Sequence, residues 1–585
     1  AEAPQESRLW KDFEKATPKD PAPILPDFSY AGYHQGKDRI QPAGKIFSVI
    51  DYGAKPDDML DDADGIQKAI DAAEANGGGI VFLPRGRYLV NTSMSKRKSI
   101  EVRASSIVIR GEGAGKGGTI IHQIHPFESS VPPSDNRHYH LGSCVFNIHA
   151  LGEETPFSEK KDLCRVAGRT DGDAFSITVD NAADLAAGMN VFLYARSTAA
   201  ILEMLRPREY NSEWSNIQNN PHNGELHTVA GVNGNTVTFS EPVRYPLRGA
   251  DGWVLKPFKP LTEVGVEDIC FMGNAYARYV HHRNDLEDSG WAFIKVKGTK
   301  DSWIRRVSFI NASQTISFTL SMDSSILNVI TLGNKGHHIP RIGWFSSNVL
   351  GGLIDDRASF THGPSISQGV VGTVYWRCTI APAEPIDSHA GRPFCSLYDH
   401  IKGGSLLGST GGIRDFPQHM RKLVIWNFFH GVPADEAKPL VYDFWDNKNK
   451  GVFIDPIISG FHGEKALFNE DTLEALESLG TPVNPESLYE AQLERRLGKA
   501  PEWIAEARAD HAAMTSAQYP EYFDRHNNVS RPLLYPETFR VDEMLKFVTA
   551  RAMRMFGKEF FTCNQQNQSL TVTADQCLVR NAIYA

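Results

Sequence analysis

The sequence predicts an all-β chain wound into successive parallel coils, with a helix capping the first coil, a small β subdomain inserted partway and a helical C-terminal appendage. Three observations predict it. Short apolar strands recur at nearly constant steps: from Phe309 to Thr331, Asp355 and Cys378 the intervals are 22, 24 and 23 residues. A period of this size marks stacked repeats, each of which buries its apolar face only against its neighbours. The segment ahead of these strands reads strand, turn, helix, strand. A third stretch breaks the period with alternating strands around an Asn-Gly turn, the signal of an antiparallel hairpin.

Taken in order, residues 1–46 are rich in Pro and aromatics and read as an extended arm lying over the body. From 47, "FSVIDYGAKPDD" is a strand running into a turn, and "DADGIQKAIDAAEANGGG" is a helix. Asp62 or Asp64 is its N-cap, Ile66, Ala69, Ile70 and Ala73 form its apolar stripe, and Gly77 ends it. Coils fill residues 47–465, continuing beyond Cys378 through "SLYDHIKGG", "KLVIWNFF" and "GVFIDPIISG". One gap between strands, from Phe271 to Phe309, is 38 residues and holds the polar insert "AYARYVHHRNDLEDSG". Residues from about 170 to 260 form the inserted β subdomain, and residues 466–585 turn helical and charged.

The order "FSVIDYGAKPDD", "ADGIQKAIDAAEANGGGIVFLPRGRYLV", "SIVIRGEG" resembles the N-terminal cap and first coils of the pectate-lyase-like superfamily. The resemblance covers residues 47–122 and implies a right-handed parallel β-helix. It implies no single reaction, because lyases, hydrolases, fructotransferases and phage tailspikes share that fold.

Composition narrows the function classes. With 41% hydrophobic and 22% charged residues and no apolar run of bilayer length, the 585-residue chain reads as a soluble globular protein without a membrane span. A net charge of −9 argues against a nucleic-acid partner bound by bulk attraction. The seven cysteines show no zinc spacing; Cys563 and Cys577 bracket a short hairpin-like tail and could form one disulfide, and the others read as buried thiols. The opening "AEAPQESRLW" is what signal-peptide cleavage would leave, so a secreted or periplasmic location is expected.

Chemistry-bearing residues concentrate in "HHIPRIG" (337–343), "SFTHGPS" and "IDSHAGRPF". His338, His362 and His389 are separated by 24 and 27 residues, about one coil each. Residues one rung apart lie ~5 Å apart, so the three histidine loops would stack on one edge beside Arg341, Asp355, Asp356, Asp387 and Arg392. A lone histidine in such a turn commonly just bonds to backbone; three at rung spacing point to a site. Zinc would suit three imidazoles, but Arg341 and Arg392 would crowd the ion with positive charge, and no metal is assigned to the histidines. Calcium is the cation that Asp355, Asp356 and Asp387 would take.

Cleavage of an acidic polysaccharide by β-elimination needs three tasks: neutralise a uronate carboxylate, accept the C5 proton, and protonate the leaving oxygen. Arginine suits the first through its forked donors, and His or Tyr the others. The expected catalytic set is His389, Arg392, His338 and Tyr398, with Arg341, His362, Asp387 and His337 binding substrate. Two alternatives stay open. A glycoside hydrolase would use paired Asp residues from Asp355, Asp356 and Asp387. A non-catalytic carbohydrate binder would use aromatic platforms such as Trp291, Trp344 and Trp376. The stretches "GHH", "DSHAGRPF" and "PESLYEAQLERRLG" also resemble a group of secreted β-helix proteins of polysaccharide-degrading bacteria. That resemblance implies candidate polysaccharide lyases and falls on His337, His338, Asp387, His389, Arg392 and the helix carrying Tyr489.

Overall fold

The computed structural model describes residues 3–16, 24–132, 142–152, 159–275, 278–406, 411–435, 439–445 and 452–522, and the backbone of 561–564 and 569–572. Its body is a right-handed parallel β-helix with two long parallel sheets. The longer sheet includes the strands Gly265–Met272, Trp303–Ile310, Ser325–Leu332, Leu350–Asp356, Val374–Trp376, Ser396–Asp399, Leu423–Trp426, Ile457–Ser459 and Ala475–Glu477. The second runs through Ile100–Val102, Phe146–His149, Ala292–Lys297, Gln314–Thr319, Arg341–Gly343, Ser365–Ile366 and Asp387–Ser388.

A single backbone device shapes each coil. Where the rungs of the long sheet are in register, the residue after Glu267, Arg305, Leu327, Gly352, Trp376, Asp399, Trp426, Ser459 and Glu477 turns a corner. Those corner residues are Asp268, Arg306, Asn328, Leu353, Arg377, His400, Asn427, Gly460 and Ser478, all at φ between 47° and 72°. Eight of them carry a side chain, at a cost of about 1–2 kcal/mol each in the left-handed region. The ladder offsets it: Arg377 N–H donates to Asp399 O at 2.9 Å, His400 to Trp426 O at 2.8 Å and Asn427 to Ser459 O at 2.8 Å.

Stacked side chains fill the interior. Phe271 lies on Phe309 with ring centres 5.2 Å apart, Tyr375 on Tyr398 at 5.7 Å, and Phe428 on Phe461 at 5.6 Å. The expected column of Phe309, Thr331, Asp355 and Cys378 is off by one residue after its first step. Phe309 pairs with Thr331, but Thr331 pairs with Asp356, and Asp355 with Thr379. The loop from Leu332 to Leu350 makes that rung longer, so equal spacing did not mean equal register.

The open N-terminal end is covered by the helix Ala63–Ala75, which buries Ile66, Ala69, Ile70 and Ala73. Asp62 precedes it without capping it; its carboxylate accepts Lys55 N–H and Leu89 N–H instead. The arm is only partly extended, since Arg8–Lys15 is a helix capped by Ser7. Gln5–Glu6 pairs in parallel with Val483–Asn484, and Glu477 on the last rung accepts Ser7 Oγ at 2.7 Å and Arg8 N–H at 2.6 Å. The coil also runs past residue 465 to Ala475–Glu477; the helices Leu488–Leu497 and Glu502–Ser516 follow. Cys577 lies outside the described residues, and Cys144, Cys164, Cys270, Cys378 and Cys395 are buried thiols.

The insert is a six-stranded antiparallel sheet from Cys164–Arg165 to Val254–Pro257, with Gly234 of the Asn-Gly turn at φ 56°. Its Leu193, Trp253 and Leu255 share a core with Val374, Trp376, Leu397 and Trp426 of the coil and with Tyr489 and Leu493. At the seam, Leu226 N–H donates to Ser347 Oγ at 2.9 Å. Buried His227 lies between Glu241 (Nδ1–Oε1 3.1 Å) and Glu225 (Nε2–Oε2 3.4 Å).

Burial opposes charge on His227, but Glu225 and Glu241 outweigh it and raise its pKa to about 9. A folded pKa above the unfolded ~6.5 means the stabilisation is whole below pH 6.5 and is lost as pH rises toward 9. The unfolding free energy should fall across that window, by roughly a few kcal/mol. His227→Gln should start less stable and lose this pH dependence, as read by denaturant titration at pH 6 and 9.

Candidate functional site

The second sheet places one chemistry-bearing column on its outer side. Lys295 pairs with Ser317, Ser317 with Arg341, Arg341 with Ser365, and Ser365 with Asp387. A parallel column beside it pairs Gln314 with His338 and His338 with His362. Side chains one rung apart stack: the rings of His338 and His362 are 4.3 Å apart and 18° from parallel. His389 is no rung-mate of His362, since Asp387 already pairs with Ser365, yet its ring lies 5.2 Å from that of His362.

The polar insert noticed in the sequence folds over these columns. Its π-helical turn Leu286–Gly290 brings in Asp288, and the preceding loop brings in Tyr279, His281 and His282. His281 reaches within 5.2 Å of the His337 ring and 5.0 Å of the His362 ring. Six imidazoles thus form one cluster: His281, His282, His337, His338, His362 and His389. Sequence spacing missed His281 and His282 because they lie off the repeat; the signal was the HH pair inside the one overlong gap.

Two buried carboxylates orient the rings. Asp387 takes Ser365 Oγ at 2.8 Å and faces Nδ1 of His389 at 3.1 Å and of His362 at 3.4 Å. Burial alone would raise Asp387, but the two histidines hold it well below the ordinary carboxylate range. Asp288 accepts Tyr279 OH at 2.8 Å and lies 2.7 Å from His282 Nδ1, while its backbone carbonyl lies 2.9 Å from His337 Nδ1. Burial, then neighbouring His337 and His362, push His338 well below the usual histidine value. His281 falls to about 4 through burial and then His282 and His362. These two rings are therefore neutral near pH 7.

Arg341 is close by: Nη2 donates to Ser367 Oγ at 3.3 Å, and Nε is buried with no hydrogen-bond partner. Burial lowers its pKa and that of Lys295, two rungs away. Exposure runs from His338, only 4% accessible, to His389, whose side chain is 24% accessible. The cluster therefore meets solvent at His389 and at exposed His281.

Of the expected residues, the structure gathers His337, His338, His362, His389, Asp387 and Arg341. Arg392 and Tyr398 are corrections. Arg392 sits at φ 64° and turns toward the insert, where Nη2 donates to Asn220 O at 2.9 Å. Tyr398 is fully buried inside the coil, and its hydroxyl donates to Pro364 O at 3.0 Å, behind the strand that carries Ser365. Strand parity decides this: Leu397 and Asp399 point outward, so Tyr398 points in. The calcium trio is dispersed as well. Asp355 pairs with Arg357 at 2.8 Å, and Asp356 caps the turn at Ala358, Ser359 and Phe360, apart from Asp387 on the other sheet. Trp291 and Trp376 are buried, leaving Trp344 exposed among the three aromatic platforms.

Comparison with known proteins divides the chain. Residues 46–125 match the family model "Rhamnogalacturonase A/epimerase, pectate lyase-like", and residues 359–507 match "Domain of unknown function (DUF4955)". Alginate lyase 7 of Azotobacter vinelandii is 39% identical over 85 residues, 14% of this chain and 10% of that protein. Mannuronan C5-epimerase AlgE3 of the same organism is 40% identical over 85 residues, 14% of this chain and 4% of that protein. The chain therefore spans a tenth or less of the length of these two relatives. Among solved structures, the tailspike gp61 of Pseudomonas phage phi297 aligns at TM-score 0.38 and 13% identity, over 72% of this chain and 75% of that one. The AlgE4 A-module of Azotobacter vinelandii aligns at TM-score 0.28 and 12% identity, over 75% of this chain and 96% of that one. The first coils, residues 46–125, are thus a pectate-lyase-like segment, while His362, Asp387 and His389 fall in the domain whose family has no assigned function.

Proposed function

We propose that this chain acts on a uronate-bearing polysaccharide and cleaves it by β-elimination. One observation carries the reading: buried Asp387 holds Nδ1 of His389 and stands in the same column as the underbonded guanidinium of Arg341. The uronate carboxylate lies on Arg341, with Lys295 adding positive charge from two rungs away. His389, fixed by Asp387, takes the C5 proton. The C4–O4 bond breaks, a C4=C5 double bond forms, and a proton passes to O4. Tyr279, kept protonated by burial and by Asp288, is the donor, in place of Tyr398 of the expected catalytic set. The relatives named for alginate and mannuronan support a uronate polymer as substrate. Such a polymer is met outside the cell, which supports export; none of the described helices is long and apolar enough to cross a membrane.

Epimerisation at C5 is the second reading, and a specific feature favours it. His281 and His389 flank His362 at 5.0 and 5.2 Å, so proton loss to one ring and return from another is geometrically available. The hydrolase reading is weakened, because Asp355 and Asp356 do not face Asp387 across a cleft.

Incubation with a panel of acidic polysaccharides separates the readings. Elimination gives ultraviolet absorbance of the unsaturated product; epimerisation in heavy water gives deuterium at C5 without it. No product of either kind from any uronate polymer refutes both. His389→Ala should lower the rate by roughly 10²–10⁴ at an unchanged melting temperature. Tyr398→Phe should do the reverse, keeping the rate and losing about 0.5–1.5 kcal/mol of stability with its hydrogen bond.

A further inference from the structure

We propose that His281, His337 and His362 form a binding site for a divalent transition metal of the zinc class. Their ligating nitrogens lie within 4.8 Å of one another. Nε2 of His281 and Nε2 of His362 are 3.2 Å apart. On a tetrahedral ion with Zn–N bonds of about 2.0–2.1 Å, two nitrogens stand about 3.3–3.4 Å apart. This pair therefore already has the separation that a shared ion imposes.

The outer hydrogen bonds set the tautomers. His337 Nδ1 lies 2.9 Å from the Asp288 carbonyl, and His362 Nδ1 lies 3.4 Å from the Asp387 carboxylate. A ring whose Nδ1 carries the proton presents its lone pair at Nε2. Metal-bound histidines are held by bonds of this kind to carbonyls and carboxylates. Two of the ligands thus sit on rigid, buried rungs, and the third comes from the exposed loop that folds over them.

The charge objection raised by the sequence does not survive the fold. Arg392 is turned to the carbonyls of the insert, and Arg341 lies beside His338 and Asp387, with Nη2 on Ser367. On the His281 side the carboxylate of Asp288 holds His282, and Arg283 of the same loop is paired with Glu287. Three imidazoles select zinc, copper or nickel over calcium or magnesium, which prefer oxygen. Three protein ligands beside an exposed loop leave a fourth position for water or substrate, the pattern of catalytic rather than structural zinc sites. The inference is independent of the eliminative reading, because binding is measured without substrate.

The test titrates the full chain, stripped with a chelator, with Co²⁺ alone and follows the visible absorption of nitrogen-ligated cobalt. One equivalent should bind with such a band, and Zn²⁺ should bleach it. His281→Ala, on the exposed loop, should weaken Co²⁺ binding roughly tenfold or more, since even outer-shell losses cost 10–100-fold. His34→Ala should bind as the parent does; it removes the histidine of the separate group His34, Glu263 and Asp301. His281→Asn replaces the alanine variant if that one does not fold. The proposal is overturned if the parent shows no saturable band, if a folded His281 variant binds Co²⁺ with parent affinity, or if the His34 change abolishes binding.

Discussion

The structure depends on one corner, repeated. At nine successive rungs the long strand turns through a residue in the left-handed region, and at Arg377, His400, Asn427 and Gly460 its N–H bonds to the carbonyl just before the next corner. Because the corners stack, the rungs cannot slip past one another without breaking the column. Fixed register is what carries residues 20 to 30 positions apart into contact. It sets Arg341 over Ser365 over Asp387 on one sheet, and Phe271 on Phe309 inside. Asp, Asn and His occupy four of the nine corners, in keeping with the greater tolerance of these residues for positive φ. Leu353 and the two arginines tolerate it because the ladder over-determines them.

The period was legible because every coil must place an apolar strand against the last. The helix Ala63–Ala75 was legible for the same reason, through its stripe of Ile66, Ala69, Ile70 and Ala73. Register and parity were not. A loop longer by one residue moved Asp355 off the column and put Asp356 on it, a shift that apolar texture cannot report. Tyr398 looked as available as His389 in the linear sequence, but it sits between two outward residues and so belongs to the core. Arg392 was misread because a positive φ redirected its side chain toward the insert, a tertiary choice with no local signal. His281 and His282 could not be found by spacing at all, since the loop that bears them lies outside the repeat and meets it only in space.

The site that results is electrostatically crowded. Six imidazoles pack around two carboxylates, with Arg341 and Lys295 alongside, and full protonation of the rings would set like charges within a few ångströms of each other. Burial and mutual repulsion keep His338 and His281 neutral, while Asp387 and Asp288 fix ring orientation by hydrogen bonding. The region is therefore rich in nitrogen lone pairs.

The contact between Gln5–Glu6 and Val483–Asn484 has a consequence for how the chain reaches this state. Stacking coils can grow rung by rung as the polypeptide emerges, each new strand docking on one already formed. The far end cannot finish that way. Its last rung is completed by Ser7 and Arg8 on Glu477, segments separated by more than 460 residues, so Ser7 and Arg8 reach their place only once the coil carrying Glu477 has formed. Assembly by local propagation therefore includes long-range closure, a slow step by the general link between sequence separation and folding rate. Until it occurs, the terminal strand stays open as an edge to which another chain could add.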